Sequence, residues 1–138
     1  SPVQITHVSS VYETAALLPE GAPSEWDISY YNMVLSCDSY LEPEVLLGAL
    51  KVIETDMGRK DVGRWGPRVI DIDILAYQDA IRDSRDLALP HPEMHNRDFV
   101  MVPLAEIAPD WVHPILKQTA QEIVAARGYA TGEHLKRV

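Results

Sequence analysis

The stretch Val69-Ile70-Asp71-Ile72-Asp73-Ile74-Leu75-Ala76-Tyr77, VIDIDILAY in one-letter code, decides how this chain is read. Side chains alternate between faces along an extended backbone, so Val69, Asp71, Asp73 and Leu75 fall on one side and Ile70, Ile72 and Ile74 on the other. The isoleucine face predicts a strand seated on a core. The two carboxylates on the other face, with Cα atoms about 6.5–7 Å apart, are near enough to share bridged divalent cations. Magnesium suits that pair, because it takes one or two carboxylates, keeps several waters and accepts phosphate oxygens, whereas zinc wants histidine or cysteine close by. A solvated strand face that happens to carry two acids is the plain alternative.

Upstream of the acids, residues 58–68 carry Arg59, Lys60, Arg64 and Arg68 against Asp61, and four cations with one acid give a local charge of +3. Gly58, Gly63 and Gly66 allow this loop to wrap a ligand. Guanidinium forks bind phosphate oxygens bidentately while carboxylates hold metal, the division of labour that phosphoryl transfer uses. A surface ion-pair network is the competing reading. The whole chain carries −9, so a nucleic acid would meet general repulsion, and the local positive charge fits a small anion instead.

Further out, Ile5–Thr14 and Tyr30–Asp38 are rich in β-branched and aromatic residues and predict two strands around a long loop. Leu46, Leu50, Ile53 and Met57 recur at helical spacing behind Pro43 and ahead of Gly58, which predicts one amphipathic helix. Ala80–Leu89 reads as a hairpin-like return. Pro90-His91-Pro92 must be extended, which keeps His91 out of any helix that could align it with His95 on zinc. Asn96–Ala108 reads as a helix restarting at Pro103, and Thr119–Arg127 as a last helix closed by Gly128. Strands and helices mix without regular alternation, which favours an α+β sandwich, helices on an antiparallel sheet.

The 138 residues suit a single domain, 1–138, with one core, and 46% apolar against 24% charged residues is ordinary globular usage. No apolar run is long enough to span a bilayer and the start lacks the pattern of a signal peptide, so no membrane partner and a cytoplasmic setting are expected. The lone cysteine, Cys37, excludes an internal disulfide and is expected as a buried thiol in the run Met33–Cys37.

Arg64-Trp65-Gly66-Pro67-Arg68-Val69-Ile70-Asp71-Ile72-Asp73-Ile74-Leu75 resembles the signature of the 6-hydroxymethyl-7,8-dihydropterin pyrophosphokinase family. Pro90-His91-Pro92-Glu93-Met94-His95-Asn96-Arg97-Asp98-Phe99, continuing through Val102-Pro103-Leu104-Ala105-Glu106-Ile107-Ala108-Pro109, resembles that family's other hallmark. The resemblance extends to Ser9–Thr14 and Tyr30-Tyr31-Asn32, covering about residues 5 to 110. It implies a ferredoxin-like α+β fold and transfer of pyrophosphate from ATP to the pterin hydroxymethyl group, with release of AMP, in folate biosynthesis.

By that resemblance Asp71 and Asp73 would bind two magnesium ions. Arg68, His91 and Arg97 would contact the triphosphate. Arg59, Arg64 and Trp65 would act from a mobile loop. Asn32 would read the pterin amide edge, Tyr30 and Phe99 would sandwich the ring, and Thr14 and Leu17 would line the same pocket. Asp61 and Glu93 depart from the basic residues common at those places. The family's first strand, ending in Gly-Ser-Asn, and its first helix are missing ahead of Ser1. Neighbouring strands are therefore expected to show an open apolar face and unpaired backbone groups. The expectation is a piece of a longer chain, fused to another folate-pathway domain, or a sheet completed by a second chain. A non-catalytic module that keeps the pterin or nucleotide site is the alternative to a working enzyme.

Overall fold

The computed structural model describes residues 2–15, 20–21, 29–58 and 70–138. Each of the two expected strands is broken in the middle. The first becomes β1 (Val3–Val8) and β2 (Tyr12–Thr14), the second β3 (Tyr30–Asn32) and β4 (Leu35–Ser39). β1 pairs antiparallel with β4, from Val3 opposite Ser39 to Val8 opposite Leu35, with a bulge between Ile5 and His7. β2 pairs antiparallel with β3, Tyr12 opposite Asn32 and Thr14 opposite Tyr30. The bend between the two pairings is held at Ser9, whose N–H donates to the Val34 carbonyl at 2.9 Å and whose Oγ accepts from Val34 N at 2.8 Å. A buried serine thus replaces the ladder where it is interrupted, because buried backbone groups must find partners.

α1 (Pro43–Asp56) forms where proline in the first turn and the spaced apolar residues predict it, and Gly58 follows with φ of +96°. Leu46 is buried, but Val45, Val52, Ile53 and Met57 are exposed, as are Ile5, Val8 and Leu35 on β1 and β4. Cys37 on β4 is exposed, which corrects the expectation of a buried thiol. The run around it lies on strands whose apolar residues are largely uncovered; partial burial and Asp38 push the thiol pKa up.

Residues 70–77 are the larger correction. The backbone is not a ladder strand there, although exposure alternates as expected: Asp71 and Asp73 are exposed, while Ile70, Ile72 and Ile74 are half-buried. A strand needs a hydrogen-bonded neighbour, and among the described residues β1 and β4 pair only with each other. Side chains hold the segment instead. The buried Glu54 of α1 accepts from Ile72 N at 2.8 Å, and Tyr77 Oη donates to the carbonyls of Ser39 and Leu41.

The short hairpin appears as β5 (Arg82–Asp83) and β6 (Ala88–Leu89), paired antiparallel and followed by a cis Leu89–Pro90 bond. A 3-10 turn (Met94–Asn96) leads into α2 (Asp98–Ile107). The expected restart at Pro103 does not occur; α2 runs through it. Proline removes only one N–H, and Met101 and Pro103 are fully buried, so packing holds the turn together. α3 (Ala120–Arg127) begins with a Thr119–Glu122 capping box and ends at left-handed Gly128. The core lies between α2 and α3, where Met94, Met101, Ala120 and Ile123 are buried and Leu75, Leu104, Trp111 and Tyr129 pack around them. β7 (Leu135–Arg137) then adds to the free side of β2, so the sheet order is β3-β2-β7. The fold is α+β, with antiparallel pairing throughout the described strands.

Candidate active site

The acid pair and the histidine arm meet through the backbone. His91 N donates to the carbonyl of Leu75 at 2.8 Å, which lays the Pro90-His91-Pro92 arm against the segment that carries Asp71 and Asp73. The His91 ring turns Nδ1 inward, where it accepts from Glu93 N at 3.3 Å. A neutral imidazole whose Nδ1 accepts must carry its proton on Nε2, so the remaining nitrogen is a donor, suited to an anion. Glu93, one of the departures noted above, accepts from the Asn96 amide at 3.1 Å.

The 3-10 turn that follows is closed by Asn96 N to Glu93 O and Arg97 N to Met94 O, and it delivers Arg97 to the N-cap of α2. Tyr129 Oη pins the turn by donating to the His95 carbonyl at 3.0 Å, and Arg127 donates to Asn96 Oδ1 at 2.7 Å. The guanidinium of Arg97 lies 5.9 Å from the centre of the Phe99 ring, within cation–π range. One phosphate-binding candidate and one ring-binding candidate therefore touch.

Thr14, Tyr30 and Asn32 come from the other sheet. Thr14 and Tyr30 are register partners on β2 and β3, and Asn32 faces Tyr12. Tyr30 is 62% exposed, a large aromatic face left open. Thr14 Oγ1 is buried with no partner among the described residues, and an orphaned buried hydroxyl is costly unless a ligand satisfies it. Arg59, Arg64, Trp65, Arg68 and Leu17 lie outside the described residues.

Two acids that the sequence reading passed over organise these parts. Glu54 is 3% exposed and accepts from the peptide N–H between Asp71 and Asp73. The signal was available: Leu46, Leu50 and Glu54 are spaced four apart, and a carboxylate on the apolar side of a helix must be bonded to something. Glu106 of α2 accepts from Ser10 N, Ser10 Oγ and Tyr12 Oη at 2.9, 3.0 and 2.6 Å, with Arg137 of β7 at 3.7 Å. Burial alone would raise the Glu106 pKa, but these hydrogen bonds and the Arg137 charge outweigh it and hold the carboxyl below its ordinary range. Burial, then the Glu106 bond, pushes Tyr12 up to about 12. The cluster locks β2, and with it Thr14, to the helix that presents Arg97 and Phe99.

Among the described residues, exposed Asp71 and Asp73 lie on the segment bonded to the His91 arm, and Arg97 sits over the Phe99 ring. Residues 1–109 match the family model for 7,8-dihydro-6-hydroxymethylpterin-pyrophosphokinase. The chain is 39% identical over 120 residues to the 2-amino-4-hydroxy-6-hydroxymethyldihydropteridine pyrophosphokinase of Aquifex aeolicus, covering 87% of this chain and 72% of that protein. It is 41% identical over 114 residues to the Haemophilus influenzae protein of the same name, covering 83% and 68%. A folic acid synthesis protein of Dictyostelium discoideum, FOL1, is 47% identical over 95 residues; these are 69% of this chain and only 14% of that much longer relative. This chain belongs to the 7,8-dihydro-6-hydroxymethylpterin-pyrophosphokinase family. Among the described residues no helix is long and apolar enough to cross a membrane.

Proposed function

We propose that this chain transfers the terminal pyrophosphate of ATP to 6-hydroxymethyl-7,8-dihydropterin, as a single ferredoxin-like domain in the cytoplasm. The observation that supports the reading is that Asp71 and Asp73 are both exposed between half-buried isoleucines, on a segment whose Leu75 carbonyl accepts from His91 N. The donor set suits magnesium: two carboxylates leave most of a hard cation's coordination to water and phosphate oxygens. Two magnesium ions held there would neutralise charge on the triphosphate.

The protein's own part is positioning. His91 Nε2–H and the Arg97 guanidinium orient phosphate oxygens, joined by Arg59, Arg64 and Arg68, with Trp65 closing over the nucleotide. Phe99 and Tyr30 clasp the pterin ring, while Asn32 and Thr14 meet its polar edge and Leu17 its apolar side. The hydroxymethyl oxygen then attacks the β-phosphorus. The bond from that phosphorus to the α,β-bridging oxygen breaks, AMP leaves with that oxygen, and the hydroxyl proton passes to solvent. Excluding water matters, because it would otherwise compete as the nucleophile. A further folate-pathway domain, or a second chain that completes the sheet, fits the open apolar faces of α1, β1 and β4.

The test is product identity: ATP and the hydroxymethyl pterin should yield equal amounts of AMP and pterin diphosphate. Asp71→Asn and Asp73→Asn should each lower the rate about 100-fold or more. ADP as the product would overturn the reading, and tight pterin and nucleotide binding without any product would favour a non-catalytic module.

A further inference from the structure

Residues beyond the family match, which ends at 109, build a tie between the two walls of the proposed pterin site. His134 is the joint. Its backbone carbonyl accepts from Ala15 N at 3.4 Å, one residue past Thr14, while its imidazole Nε2 lies 2.7 Å from Asp98 Oδ2, one residue before Phe99. The neighbouring Leu135 is fully buried opposite Thr14, and Thr14 is in turn opposite Tyr30. One residue is thus bonded at its backbone to the strand wall and at its ring to the start of α2. An ionised Asp98 accepts only, so Nε2 carries the proton of this bond whatever the charge on the ring.

We propose that His134 is a positioning residue of the pterin site, setting the separation between the Thr14–Tyr30 wall and the Phe99 wall. The inference rests on the pterin-binding reading given above. His134 touches no reacting atom; it acts through Asp98. Asp98 is the first residue of α2, and its neighbours Arg97 and Phe99 are in contact, so freeing it loosens both. The His134 side chain is 54% exposed and that of Asp98 17%, and a pair this open to water is worth about 2- to 5-fold in an equilibrium constant.

The test is calorimetric binding of 6-hydroxymethyl-7,8-dihydropterin in the presence of magnesium and a non-hydrolysable ATP analogue, with pterin KM and kcat measured alongside. His134→Ala and Asp98→Asn should each weaken pterin binding and raise its KM by about 2- to 5-fold, with kcat changed less. The double variant should be no worse than either single one, and His134→Lys, whose ammonium reaches the same carboxylate, should restore affinity. Unchanged pterin affinity in both single variants, or additive losses in the double, would overturn the role of His134 while leaving the pterin site standing. A wild-type protein that binds no pterin would overturn both.

Discussion

Glu54→Ala should cost far more than the loss of one side chain on a helix. The carboxylate is buried and accepts from Ile72 N, the peptide between the two acids of the proposed metal site. Its contact with Lys51 at 3.9 Å involves a largely exposed ammonium and contributes little. Truncation leaves the Ile72 N–H short of its acceptor, and a hydrogen bond to a charged group, together with the desolvation left behind, amounts to about 2–3 kcal/mol. Glu54→Gln keeps an acceptor oxygen at the same reach, so its loss should be about 1 kcal/mol. Urea denaturation followed by circular dichroism, at constant m, measures the difference, and the alanine variant should melt roughly 5–10 °C lower. Because the freed peptide carries Asp71 and Asp73, the alanine variant should also need more magnesium for half-maximal rate. Equal losses for alanine and glutamine, or a loss below about 0.5 kcal/mol for alanine, would refute the idea that this carboxylate holds the segment.

Three pH dependences follow from the shifted groups Glu106, Tyr12 and His113. Glu106 titrates below its ordinary 4.5 in the fold, so its contribution is complete above that value and is lost as pH falls further; Glu106→Gln should flatten the acid limb of a stability–pH curve. Tyr12, raised from 10.0 to about 12, stabilises below pH 10 and loses that contribution as pH rises toward 12, so Tyr12→Phe should flatten the alkaline limb. His113 is buried, and burial followed by the neighbouring His95 lowers its pKa below 6.5. The unfolded chain therefore takes up that proton first. Stability should fall as pH drops from 7 to 5, and His113→Asn, which can still accept from Ile115 N and Leu116 N, should remove that slope in thermal melts.

What was legible in the sequence followed local periodicity. α1 begins at Pro43 and ends ahead of Gly58, and α3 ends at Gly128, as those residues predict, because such signals act within a few residues. From Ile70 to Ile74 exposure alternates, with the two acids exposed and the isoleucines half-buried, yet ladder pairing depends on a neighbour that no local pattern encodes. The breaks in the first two strands were hidden for a similar reason. Ser9 and Val34 hold each other across 25 residues, and nothing beside either of them announces it. The apolar run Met33–Cys37 predicts a buried thiol only where another layer covers β4, and Cys37 is exposed. Glu54 was readable as a misplaced charge on an apolar stripe. Glu106 and His134, by contrast, find partners 96 and 36 residues away, distances at which only the folded chain shows what meets.

The central claim, that Asp71 and Asp73 jointly hold the metal of a bound nucleotide, is tested most directly by counting ions. Manganese titrated in place of magnesium, followed by electron paramagnetic resonance with a non-hydrolysable ATP analogue present, should saturate at about two ions per chain. Asp71→Asn or Asp73→Asn should reduce that number and weaken the nucleotide together. Nucleotide binding and ion count indifferent to both substitutions would contradict the account.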